Sequence, residues 1–233
     1  MLFRSKYDQV SFLDINNIFF HILGYAMSYV EFFGTIAGLI AVYLSARANV
    51  WSWPIGIINV ILLFFLFFQV QLYPDMFLQI YFFITNLLGW WRWKNPRPGE
   101  ADRKSELKIS YLSKLQLAIS VILLISGTLI SGAAATQLNA WFPIIFSKPS
   151  AFPILDSFVL ICSILAQYWM LHKKPECWLL WILADVIATG LYFMKDIRFL
   201  SLEYLVFCFI AGYGWLTWMR EKKSYGNEPS KSF

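Results

Sequence analysis

The residues that could do chemistry are polar side chains set where an apolar chain should exclude them. Between Trp51 and Trp93 two long apolar runs carry Asn59, Gln79 and Asn86, separated by a turn at Gln71-Leu72-Tyr73-Pro74-Asp75. Later, Trp178, Trp181 and Asp185 recur at spacings of three and four, with Tyr192 seven beyond Asp185, so two indoles, a carboxylate and a phenol share one helical stripe. Gln79 and Asn86 are also seven apart and share a face, and Tyr204 stands 125 residues after Gln79. A carboxylate at the centre of a bilayer costs about 2.5–3.5 kcal/mol on insertion scales. It is retained where it faces protein or a wet cavity and has work to do. Aromatic faces, amides and one carboxylate, without Lys or Arg at the same depth, suit a neutral or cationic solute with a flat ring and hydroxyls. An anionic or phosphorylated solute would lack a partner there.

The elements that position these residues follow from composition. The chain has 233 residues, 59% of them hydrophobic and 14% charged, against about 45–50% and about 25% for a soluble domain. Windows of about 20 apolar residues match the roughly 30 Å hydrocarbon core. The fold class is therefore all-α, a polytopic membrane protein with seven spans. These begin near Val30, Trp51, Pro74, Ile109, Ile154, Cys177 and Arg198, the fourth ending near Ser131 with a loop over 133–153. Residues 1–29 read as an amphipathic interfacial helix, with Phe12, Ile15, Phe19 and Ile22 on one side and Asp14, Asn17 and His21 on the other. Residues 30–93 form a first group of three helices. Residues 94–153 hold a basic loop, a linker helix and a second loop. Residues 154–219 form a second group of three, and 220–233 a polar tail. Counting Lys and Arg puts 14 on the side of Arg47, the 92–108 loop and the C-terminus and 5 on the other, so the C-terminus is expected in the cytoplasm.

The two groups of three align at a constant offset of 125 residues. Trp53 meets Trp178, Phe82 meets Phe207, Gly89-Trp90 meets Gly214-Trp215 and Trp93 meets Trp218. A single helix between two groups of three returns both to the same polarity, so the repeats are expected to be parallel, with a site near mid-depth between them. Asp185 and Asn59 fall at matching depths to within one residue. Bland readings compete: tryptophans at span ends belong by default to an aromatic belt, and buried amides can be helix–helix glue. The sequence contains no nucleotide-binding loop and no His/Glu cluster of metal-ligand type, so neither a cofactor, a metal nor an enzyme is expected. The basic residues sit in loops, which argues against nucleic acid as a partner. Cys162, Cys177 and Cys208 follow no disulfide or metal spacing.

Three stretches, Trp51-Ser-Trp-Pro-Ile-Gly-Ile-Ile-Asn59, Leu72-Tyr-Pro-Asp-Met-Phe-Leu-Gln79-Ile-Tyr81 and Asn86-Leu-Leu-Gly-Trp-Trp-Arg-Trp93, resemble the signatures of the PnuC nicotinamide riboside transporters. Trp178-Leu-Leu-Trp181-Ile-Leu-Ala-Asp185-Val and Leu191-Tyr-Phe-Met-Lys195 resemble that family's second half. The resemblance implies a 3+1+3 fold similar to a full-length SWEET sugar-transporter architecture, often a homotrimer, in the bacterial inner membrane. It implies facilitated diffusion of nicotinamide riboside, trapped afterwards by cytoplasmic phosphorylation on the way to NAD. On this reading Trp53, Trp178 and Trp181 are candidates to clamp the ring. Gln79 and Asn86 would bond the carboxamide or ribose, and Asp185 and Asn59 the other polar end, with Tyr192 and Tyr204 alongside. The alternative is another small polar solute, a sugar or a thiamine-like vitamin, on the same fold.

Overall fold

A computed structural model describes residues 12–22, 25–70, 73–102, 104–143, 151–194 and 198–225. A short antiparallel hairpin, β1 (Ile18–Ile22) and β2 (Tyr25–Ser28), precedes seven helices. These are α1 (Tyr29–Ala46), α2 (Ser52–Gln69), α3 (Tyr73–Lys94), α4 (Lys114–Trp141), α5 (Pro153–Leu171), α6 (Cys177–Met194) and α7 (Arg198–Ser224). By length and composition, six of them can cross a membrane. The starts follow local chemistry. Ser28 and Glu31 form a capping box at α1, and Ser113 and Gln116 form one at α4, each satisfying two otherwise orphaned N–H groups. Pro153 occupies the first turn of α5, where no N–H is needed.

Two expectations are corrected. The described part of the N-terminal segment is not an amphipathic helix. Asp14 folds the chain back on itself, accepting bonds from the backbone and side chain of Asn16, while Asn17 N–H donates to Asp14 O. This local turn competes with a helix, and the aromatic and β-branched run Ile18-Phe-Phe that follows suits a strand. The hairpin lies across one end of the bundle. Phe19 packs on Tyr29, Phe32 and Phe33 of α1, and Tyr25 stacks on Phe199 of α7 at 5.6 Å. Gln69, the last residue of α2, donates to Leu13 O and accepts from Ile15 N–H. The second correction concerns α4. It begins at Lys114, where the Ser113 cap sits, and continues through Ala133-Ala-Ala to Trp141, where a loop was expected; a run of alanines has the strongest helix propensity available. The start of the expected turn, Gln71-Leu72, lies outside the described residues.

Within the bundle α1, α2 and α3 pack in sequence, as do α5, α6 and α7; α1 also packs on α7, and α3 on α5. Tyr81 of α3 donates to Ile164 O of α5, and Trp169 of α5 donates to Ser120 Oγ of α4. The core gathers at the end where α1 and α5 finish and α2 and α6 begin. There Trp53, Trp93, Trp218 and Trp178 form a continuous edge-to-face chain, with ring centroids 5.0, 5.9 and 5.5 Å apart, all four fully buried. Trp93 Nε1 donates to the carbonyls of Met170 and Leu171 at the end of α5. Trp218 Nε1 donates to Ser45 O at the end of α1. Ala48 and Lys173, which end the turns after α1 and α5, both take positive φ, 50° and 49°.

Glycine is required opposite this chain. A Cβ at Gly89 would lie 2.4 Å from the Trp53 ring, and one at Gly214 2.6 Å from the Trp178 ring. Gly89→Ala and Gly214→Ala should each destabilise by about 1–3 kcal/mol, the usual range for overpacking. The loss should read as a lowered Tm in thermal unfolding of the purified protein.

Candidate functional site

The polar residues inside the spans separate into two sets. The first surrounds Asp185, which α6 carries about 10 Å deeper than Trp178 (seven residues at 1.5 Å rise). Asp185 is 3% exposed, and its backbone carbonyl accepts from Thr189 Oγ1. On the same helix Tyr192 stacks against Tyr204 of α7 at 5.3 Å, and the two phenols are hydrogen-bonded. Tyr204 lies within electrostatic reach of Asp185 and of Asp75 at the start of α3, and Cys208, one turn on, also lies within reach of Asp185. One turn beyond Asp75 is Gln79, 6% exposed, whose Nε2 donates to Asp75 O at 3.4 Å. Trp181 stands 6.3 Å from Phe82 across the α3–α6 gap. So α6 and α7 bring Asp185, Tyr192 and Tyr204 together and Trp181 reaches α3 at Phe82, whereas Gln79 lies one turn beyond Asp75 and lines an apolar groove with Val60, Phe64 and Ile80.

Unfinished bonding occurs both beside this region and in the tryptophan core. Among the described residues, Gln79 Oε1 and the indole N–H groups of Trp181, Trp178 and Trp53 are buried without a hydrogen-bond partner. Leaving a buried polar group unsatisfied costs about 1–3 kcal/mol. An amide acceptor and indole donors in this state are groups that a polar ligand can complete.

The second set makes contacts between helices. Asn59 spends its Nδ2 on Gly34 O of α1 at 2.8 Å and fills the space beside Gly38, where a Cβ would come within 2.9 Å of it. Asn86, 7% exposed, fills the notch at Gly56 of α2, where a Cβ would lie 2.8 Å from its Oδ1. The rings of Trp53 and Trp178 are taken up by Gly89, Gly214, Trp93 and Trp218 and are fully buried. Sequence reasoning treated Trp93 and Trp218 as belt or packing residues and missed their bonds to the ends of α5 and α1. The 125-residue offset held the signal, since it pairs Trp93 with Trp218 and Ser45 with Met170. Trp51 and Trp91, each more than half exposed, are placed as belt residues would be.

One partner of this end was not visible in sequence. Lys173 is buried, with Nζ 4.5 Å from the centroid of the Trp93 ring and 3.6 Å from Glu106 Oε2. Burial lowers its pKa, opposed by Glu106, Asp102 and Glu221. The stretches 95–102 and 104–113 close over it. Leu107 N–H donates to Trp93 O and Ser110 N–H to Lys173 O, while Leu107 and Ile109 join the tryptophan core.

Comparison with known proteins places this geometry. A family model described as nicotinamide mononucleotide transporter matches residues 28–220. The chain is 31% identical to the nicotinamide riboside transporter PnuC of Escherichia coli, over 94% of this chain and 98% of that one. It is 24% identical to the riboflavin/roseoflavin transporter RibM of Streptomyces davaonensis, over 79% and 82%. Among solved structures, that of a vitamin B3 transporter PnuC superposes with a TM-score of 0.65 at 20% identity, over 84% of this chain and 83% of that one.

The division into two sets is testable. Asn59→Ala should cost about 1–2 kcal/mol of stability through the lost interhelical bond and leave ligand affinity within about twofold of the parent. Parallel thermal unfolding and tryptophan-fluorescence titration measure both.

Proposed function

The chain belongs to the nicotinamide mononucleotide transporter family, and from that premise we propose that it carries nicotinamide riboside across the membrane by facilitated diffusion. The observation that carries the substrate is the 31% identity to the Escherichia coli nicotinamide riboside transporter along nearly the whole of both chains. The chemistry of the spans supports the riboside over the mononucleotide in the family's description. From α1 to α7 the Lys and Arg residues lie only near the helix ends, Arg92 and Lys94, Lys114, Arg198 and Arg220 to Lys223, and none stands at mid-depth. A phosphate would therefore shed its water at mid-depth with no cation to receive it. A pyridinium ring, a carboxamide and a ribose diol meet what they need. The Trp181 face suits the cationic ring, Gln79 Oε1 accepts from the carboxamide, and Asp185 balances charge or accepts from the diol. Tyr192 and Tyr204 close the far side. Asn59 and Asn86 hold the helices that present these groups, and the indole N–H groups of Trp53 and Trp178 line the way toward the basic end.

This reading includes two parallel three-helix repeats joined by α4, similar to the SWEET plan. Its support is the match of detail 125 residues apart: the Trp53–Gly89 and Trp178–Gly214 contacts, the positive φ of Ala48 and Lys173, and the crossed bonds of Trp93 and Trp218. The packing of α1 on α7 and of α3 on α5 is what a pseudo-twofold axis would generate. The proposal extends to a homotrimer in a bacterial inner membrane, with the basic end and C-terminus in the cytoplasm. There phosphorylation by a kinase would trap the riboside for NAD synthesis.

Uptake into liposomes holding only the purified protein tests the proposal. Nicotinamide riboside should enter saturably without an ion gradient, nicotinamide mononucleotide at tenfold excess should not compete, and Asp185→Ala should lower uptake at least tenfold. Absence of saturable flux overturns the proposal. Preferred entry of riboflavin would instead align the chain with the Streptomyces relative.

A further inference from the structure

A second site lies at the basic end, apart from the polar region of α3, α6 and α7. A cleft of about 220 Å³ opens between the end of α3, the stretches 95–102 and 104–113, the start of α4 and the end of α5. Arg92, Arg97, Lys108, Lys174 and His172 line it, and Glu100 is the one carboxylate among its lining residues. That carboxylate is already engaged, since it pairs with Arg92 and accepts from the Arg97 backbone N–H. Its pKa is held below the usual range by the bond from Arg92. Lys108 Nζ donates to Gly99 O, and Lys174 Nζ donates to Ser110 Oγ and Tyr111 O. An ammonium has three donors, so both lysines keep capacity, and Arg97 meets Glu100 through its backbone rather than its guanidinium.

We propose that this cleft is a phosphate-binding site, taking the phosphoryl group of an anionic lipid headgroup or of a soluble phosphomonoester. Cations that only orient a membrane protein spread into water. Here four converge on one concavity with a single paired carboxylate, and like charges so placed repel unless an anion joins them. The site is also partly desolvated: burial lowers the pKa of Lys174, and burial followed by the charges of Arg92 and Lys174 lowers that of His172. Guanidinium forks and ammonium groups on a fixed frame are the donors phosphate oxygens select. Basic pockets beside membrane helices are known hosts for acidic headgroups. Gln116, which caps the start of α4, reaches the same cleft, placing it at the depth where headgroups and cytosolic solutes meet.

The test uses the whole protein in phosphatidylcholine nanodiscs, with inorganic phosphate titrated against sodium chloride at matched ionic strength. Phosphate should raise Tm saturably by several degrees beyond chloride. The double variant Arg97→Gln, Lys108→Gln should lose that rise while keeping solute uptake, and Arg97→Lys, Lys108→Arg should retain it. Repeating the titration in phosphatidylglycerol nanodiscs separates the sources. If the lipid alone raises Tm and phosphate adds nothing, the occupant is a headgroup; if phosphate acts equally in both lipids, it is a soluble phosphate. The proposal is overturned if neither phosphate nor phosphatidylglycerol raises Tm beyond its control, or if the glutamine variant responds like the parent.

Discussion

The structure depends on two indole N–H groups reaching across the bundle. A helix ends with carbonyls that have no partner inside it, and in a bilayer such groups need protein to satisfy them. Trp93 adds a bond to the carbonyls of Met170 and Leu171 at the end of α5, and Trp218 one to Ser45 O at the end of α1, beside the turn bonds that Met170 O and Ser45 O accept from the Lys173 and Ala48 N–H groups. Each indole bond ties a helix from one half of the chain to a helix of the other. The same two rings then carry Trp53 and Trp178 on their edges, and those rings need Gly89 and Gly214 beneath them. One end of the bundle is thus fixed as a unit. Polar side chains deeper in, such as Asp185 and Gln79, take their positions from helices anchored there.

The seven helices, six of them long and apolar enough to cross a membrane, are legible in the sequence because a bilayer enforces length and composition directly. The failures have the same physical origin. Residues 12–28 lie where that constraint does not act, so helical spacing of Phe12, Ile15, Phe19 and Ile22 carries no compulsion, and the turn chemistry of Asp14 decides the outcome. The run after Ser131 is alanine-rich and only weakly apolar, and it continues as helix by propensity rather than by hydropathy.

The candidate site is legible in part. Trp181, Asp185 and Tyr192 stand out because polar and aromatic groups recur on one stripe of α6, and the fold sets Tyr204 of α7 against Tyr192. Asn59 and Asn86 look the same in sequence but meet glycines one helix away, Gly34 and Gly38 or Gly56. Only tertiary structure reveals whether an amide faces a gap or fills one. Lys173 is the harder case. A lysine in a basic turn reads as solvated, and nothing local announces that the stretches 95–102 and 104–113 fold back to bury it over Trp93.

The hairpin at the opposite end has a mechanical meaning. Its strands touch the first turns of α1 through Phe32 and Phe33 and the first turn of α7 through Phe199, while the turn that leads into it holds the last turn of α2 through the bonds of Leu13 and Ile15 to Gln69. A two-stranded ribbon resists stretching along its strands far more than it resists hinging at its ends. Motions in which these three helices travel together leave it intact, whereas spreading α2 away from α1 must break both Gln69 bonds. The ribbon and the turn before it therefore act together as a tether that sorts the movements of that rim, permitting tilt as one body and taxing separation.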